Sequence, residues 1–154
     1  MDRNKFLNII RQIESSGGKN LNHDTINYGI HKGDAAIGEY GIMPKTANEF
    51  IRRRELRGQY GPDEALMAKM SPEELREFLK DQDRAEQNLA EDIADRVIAR
   101  SNGDMEKAAY MWNQGHNKLA SSIDDKNLDS SDYVKKFRNI RDYLDKKRII
   151  ASEQ

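Results

Sequence analysis

Glu14 stands where the apolar series Phe6, Ile9, Ile10 and Ile13 gives way to Ser15-Ser16-Gly17-Gly18. That series has helical spacing, which puts the glutamate on the last turn of a first helix. The carboxyl end of a helix is negative and disfavours an anion, and apolar neighbours act in the same sense. A carboxyl group kept protonated near neutrality is the group that general acid catalysis uses. Most glutamates are merely solvated, so this one gains meaning only from what accompanies it. Asn113 and Gly115 form a second candidate group: an amide able to bond hydroxyl or carbonyl ligands, and a residue that lets backbone come close. Both are also ordinary helix-ending residues. Metal chemistry is not expected. The chain has no cysteine, and His23, His31 and His116 lack the tight spacing of a zinc motif. No cofactor is called for.

Several elements must position these groups. The first helix is expected from about Asp2 or Arg3 to Glu14 or Ser15. From Gly17 to Gly41 the chain is rich in Gly, Asn, Asp and His without helical period, which predicts a long loop with a short hairpin around Ala36 to Ile42. A loop of that length in a small domain usually carries function. Pro44 opens a second helix to about Leu56, stopped by Gly58, and a short helix follows Pro62. Ser71-Pro72-Glu73-Glu74 is a capping box that starts a helix to about Asp81. The next helix runs from about Asp83 to Arg100. Asp104 caps another through Met111 or Trp112. Residues 116–130 read as a polar connection, and Ser131 or Asp132 caps the final helix, with Tyr133, Phe137, Ile140 and Leu144 on one face. The expected fold is mainly α with one loop region near the N-terminus, in a single domain over residues 1–150.

Bulk properties narrow the partners. The 154 residues carry 26 basic and 27 acidic side chains, a net charge of -1, so no global field draws in nucleic acid. Arg52-Arg53-Arg54 reads as a solvated helix face, with only a weak claim to attract an anionic polymer. Trp112 reads as a core residue more than a platform for sugar rings. Apolar runs are only a few residues long, too short to insert into a bilayer, and the N-terminus has no apolar segment of the secretory kind.

Five blocks, in order, resemble one family. Ile13-Glu14-Ser15-Ser16-Gly17-Gly18 is similar to the E-S-x-G segment at the catalytic glutamate of soluble lytic transglycosylases and goose-type lysozymes. Ala36-Ile37-Gly38-Glu39-Tyr40-Gly41-Ile42-Met43-Pro44-Lys45-Thr46-Ala47 resembles their A-x-G-x-x-Q-I-M-P-x-T-A segment. Gln87-Asn88-Leu89 resembles a Q-N-I element. Trp112-Asn113-Gln114-Gly115 stands where the family has Y-N-A-G, and Tyr133-Val134-Lys135-Lys136 matches Y-V-x-K at the start of the last helix. Together the blocks span nearly the whole chain. Two departures stand out. Gly41 occupies the family's Gln position, which predicts that one polar contact of the groove is missing or supplied elsewhere, and the segment between Glu14 and Ala36 differs from the family's usual sequence, so residues inside it are not transferred.

The resemblance implies a lysozyme-like, α-rich fold acting on the glycan strand of peptidoglycan. Glu14 would protonate the glycosidic oxygen and then accept the proton of the sugar's own C6 hydroxyl, leaving a 1,6-anhydro-muramoyl end. Ser15, Ser16, Tyr40, Met43 and Asn113 would bind substrate or support the groove, and Tyr133 would point its hydroxyl at the glutamate. A goose-type inverting hydrolase is the near alternative. It needs a base about 6.5–9.5 Å from the acid to activate water, for which Asp34 and Glu39 are the candidates. Asp34 is equally a turn residue after Gly33, and Glu39 is equally a solvent-facing one. A non-catalytic wall-binding module is the alternative of another class, and Gly41 is the feature that favours it. The expected protein is a monomer working on the cell wall, delivered there by a virion, a lysis system or a secretion apparatus.

Overall fold

A computed structural model describes residues 2–27, 32–56, 62–79 and 83–152. These are mainly helical: α1 (Arg3–Ser15), α2 (Pro44–Leu56), α3 (Pro62–Met67), α4 (Pro72–Leu79), α5 (Asp83–Arg100), α6 (Met105–Gln114), α7 (Asp125–Ser130) and α8 (Asp132–Ser152). Extended structure among the described residues is confined to one antiparallel bridge, Ile37 with Ile42, where a short hairpin is expected. The Gly58 stop, the far end of α4 near Asp81, and His31 lie outside the described residues. No described helix is long and apolar enough to cross a membrane. Two compact units emerge, Met1–Ile13 with Ile93–Gln154 as unit 1 and Glu14–Asp92 as unit 2. The division passes through α1 and α5, so each of these helices supplies residues to both.

In unit 1, local chemistry sets the helix ends. The Asp2 carboxylate accepts from the Lys5 N–H at 2.8 Å and caps α1. Asp104 accepts from the N–H groups of Glu106 and Lys107 and caps α6, which runs to Gln114 and so takes in Asn113. Residues 116–130 are not merely a connection. Asp124 and Asn127 form a reciprocal capping box that starts α7, and Leu128 fills its buried side. The Ser131 hydroxyl accepts from Val134 N–H at 3.2 Å and caps α8. Phe6 packs edge-on to Trp112 with ring centroids 6.0 Å apart, and at 5.7 Å to Phe137. Trp112 thus serves packing.

A charged cluster joins α6 to α8. Glu106 accepts from Arg138 Nε and from Arg141 Nη1, each at 2.8 Å, and Arg138 also pairs with Asp129 at 2.9 Å. Burial pushes the Glu106 carboxyl up, but the hydrogen bonds and charges of the two guanidinium groups outweigh it and hold it below the ordinary glutamate range. In unit 2, the Ser71–Glu74 capping box starts α4. Leu75, Leu79, Phe50, Ile51, Met67 and Leu89 are buried there. The arginine run is partly engaged: Arg53 pairs with Glu49 at 2.7 Å and lies over the Phe50 ring, and Arg54 pairs with Asp92 at 3.2 Å.

A carboxyl depressed in the folded state adds stability above its unfolded pKa and loses it as pH falls through its folded pKa. Glu106→Gln should therefore lower the unfolding free energy by about 1–2 kcal/mol near neutral pH, since it weakens hydrogen bonds to charged groups. The gap between wild type and variant should close as pH drops below the ordinary glutamate value of 4.5. Urea denaturation at a series of pH values measures it, and a gap independent of pH would contradict the assignment.

Candidate functional site

The candidate chemistry of unit 2 gathers at the turn from Ile37 to Ile42. Ile37 and Ile42 exchange backbone hydrogen bonds of 2.8 and 3.1 Å, and both side chains are buried. Gly38 and Gly41 take φ of 69° and 62°, a region closed to most side chains. The turn is held at Gly38, Glu39 and Tyr40. The Ser15 hydroxyl donates to the Glu39 carbonyl at 2.7 Å. His23 Nε2 donates to the Gly38 carbonyl at 2.7 Å. The Tyr40 N–H donates to Glu86 Oε1 at 3.1 Å, and the Tyr40 hydroxyl donates to Gln87 Oε1 at 2.7 Å.

Glu14 is half-buried, and its side chain lies directly against Gly41. A Cβ added there would sit 2.7 Å from Glu14 Cδ and would overlap its carboxylate oxygen. The glycine that reads in sequence as a lost contact is thus required, twice over: by its φ and by the carboxylate resting on it. Ser15 is buried, and its hydroxyl also accepts from the Gly18 N–H at 2.9 Å. It closes the end of α1 and fixes the turn, a supporting role. Ser16 is exposed with φ of 52°, continuing the reversal through Gly17 and Gly18. Tyr40 is a buried anchor, and Met43 is half-buried before Pro44.

Asp34 is engaged by its neighbours. Only 8% exposed, it pairs with Arg76 Nη1 at 2.5 Å and accepts from the Ala35 N–H at 2.9 Å. The pair with Arg76 ties the loop to α4. The Ile26 N–H and carbonyl reinforce that loop through Asp34 and Gly33. Glu39 is half-buried within the turn. Between the loop and α4 lies a cleft of about 700 Å³ lined by His23, Thr25, Ile37, Gly38 and Arg76 among others.

Asn113 and Tyr133 belong to unit 1. They share an open polar cleft of about 510 Å³ with Tyr110, Ser131 and Lys136. Asn113 is exposed on the last turn of α6, and its Oδ1 accepts from Gln114 Nε2 at 2.7 Å. Tyr133 is half-buried on the first turn of α8. His116 is buried, with Nδ1 accepting from Arg96 Nε at 2.9 Å, so His23 and His116 are both engaged in tying segments together.

Sequence reading passes over Glu86. It is only 6% exposed, and its carboxylate presses on Gly38 so closely that any Cβ there would overlap it. Nothing in a helix with a charged residue at nearly every second position singles it out, although it directly precedes Gln87-Asn88-Leu89. Comparison of the chain with protein-family models, with curated proteins and with solved structures finds no match.

Gly41→Ala should lower unfolding free energy by about 1–2 kcal/mol through its φ alone, and it must also displace the Glu14 side chain. Urea denaturation reads the first effect. An alanine variant as stable as wild type would contradict the turn geometry described here.

Proposed function

We propose that the chain is a peptidoglycan lytic transglycosylase with a lysozyme-like fold, in which Glu14 is the general acid and base. One observation carries the reading: the half-buried Glu14 side chain ends α1 and rests on Gly41, in a turn secured by Ser15, His23, Glu86 and Gln87. A proton donor must be held at a fixed distance from the bond it breaks, and such a seat provides that. The five ordered motifs resembling the family add to it. The negative end of α1 disfavours the anion of Glu14 and so favours the protonated group that the first step needs.

The reaction follows from one carboxyl group. Glu14 gives its proton to the bridging oxygen as the bond from muramoyl C1 to that oxygen breaks, through an oxocarbenium-like transition state. The resulting carboxylate takes the proton of the C6 hydroxyl, whose oxygen bonds to C1. Glu14 is again protonated, no water is consumed, and the product ends in a 1,6-anhydro ring. The resemblance assigns substrate contacts to Asn113 and Tyr133, which share a polar cleft of unit 1, and in this reading the protein acts on the wall polymer outside the cytoplasm. Hydrolysis is the second reading. Glu39 favours it, because its backbone is tied to the residue following Glu14, whereas Asp34 is engaged by Arg76. Gly41, which in sequence speaks for a non-catalytic module, is here the seat of the acid.

Glu14→Gln keeps the shape and removes the proton, so lysis of purified peptidoglycan should fall by about 10²–10⁴-fold with unchanged thermal melting. Mass spectrometry of wild-type digests should find anhydro-muramoyl ends. Reducing ends alone would select hydrolysis and make Glu39→Gln the variant to examine. A wild type without lytic activity, or a fully active glutamine variant, would overturn the proposal.

A further inference from the structure

Glu86 is a buried carboxylate that the reaction above does not use. Its position is nonetheless specific. Oε1 accepts from the Tyr40 N–H at 3.1 Å, the carboxylate abuts the bare Cα of Gly38, and the next residue, Gln87, takes the Tyr40 hydroxyl. Three residues beyond Gly38, on the same tight turn, Gly41 carries the Glu14 side chain. Both glycines have positive φ, and the turn between them is closed by the Ile37–Ile42 bridge. A push on one side of such a turn is transmitted to the other, because close-packed backbone has no slack to absorb it.

We propose that Glu86 is the positioning residue for Glu14, fixing through Gly38 and the Tyr40 N–H the turn on which the Glu14 carboxylate rests. Reach, not charge, is what this role demands. The amide of glutamine has the same length and retains an acceptor for the Tyr40 N–H. Aspartate keeps the charge but falls one methylene short of both Gly38 and the N–H. Glu86 need not touch substrate, so its loss should appear in the rate of the chemical step and leave substrate affinity alone.

The inference rests on Glu14 as the acid, and two measurements keep the two ideas apart. In the full chain, Glu86→Gln should cleave peptidoglycan at close to the wild-type rate. Glu86→Asp should lose about tenfold or more in kcat with KM little changed, given how steeply rate depends on placement. Independently of activity, the side-chain carboxyl carbon resonance of Glu14, assigned by its disappearance in Glu14→Gln, should shift in Glu86→Asp and stay in place in Glu86→Gln. Circular dichroism and thermal melting establish that each variant is folded. Should Glu86→Asp fail to fold, Glu86→Ala, which removes the reach altogether, is read in the same way. The opposite pattern, with aspartate harmless and glutamine damaging, would make charge the operative property and overturn the proposal. So would a Glu14 resonance that ignores all these substitutions. A wild type that is inactive on peptidoglycan would remove the catalytic reading while the resonance still decides the coupling.

Discussion

Two mutual backbone hydrogen bonds between Ile37 and Ile42 close a turn that would otherwise be four residues of unfastened loop. Isolated, so small a bridge would not persist in water. It is fixed because side chains from α1, from the loop and from α5 each take one of its polar groups: Ser15 the Glu39 carbonyl, His23 the Gly38 carbonyl, Glu86 the Tyr40 N–H and Gln87 the Tyr40 hydroxyl. The isoleucines on either side are buried. Glu14 lies against the surface that these bonds fix.

The acidic residues divide by what they face. Asp34 and Glu106 pair with guanidinium groups, which suits them to holding segments together. Glu86 accepts from the Tyr40 N–H and lies against Gly38. Glu14 faces Gly41 at the end of a helix. Of these settings only the last combines partial burial with the carboxyl end of a helix. The arginines follow the same division, with Arg76, Arg138 and Arg141 joined to loops and helices through carboxylates.

Periodicity and capping chemistry made most of the helical frame legible. Pro44, the Ser71 box, Asp104 and Ser131 mark starts that the structure keeps, because a cap is a local interaction between residues two to four apart. The missed helix α7 has the same kind of cap in Asp124 and Asn127, but Leu128 is its single buried residue, too little for an apolar period to register. In the site, the position of Glu14 on the last turn of α1 could be read from spacing, as could a hairpin near Ala36 to Ile42. The ion pair of Asp34 with a residue 42 positions away could not, nor could the burial of Glu86, for both depend on packing between distant segments. Gly41 shows the limit most plainly. As a letter in a motif it is a missing glutamine, and only the φ of the turn and the approach of Glu14 reveal what the absent side chain makes room for.

The fastenings of the turn also bear on how unit 2 comes to be built. They join residues 24, 15, 46 and 47 positions apart in the chain, whereas the helices around them close through neighbours. Long loops must be closed, at an entropic cost that rises with their length, before such bonds return any stability. Helices can therefore form early while the turn waits for the first turns of α5 to arrive, and the seat beneath Glu14 is completed only as unit 2 is. A chain arrested short of α5 would hold Glu14 and Gly41 in sequence but would lack two of the four bonds that set one upon the other.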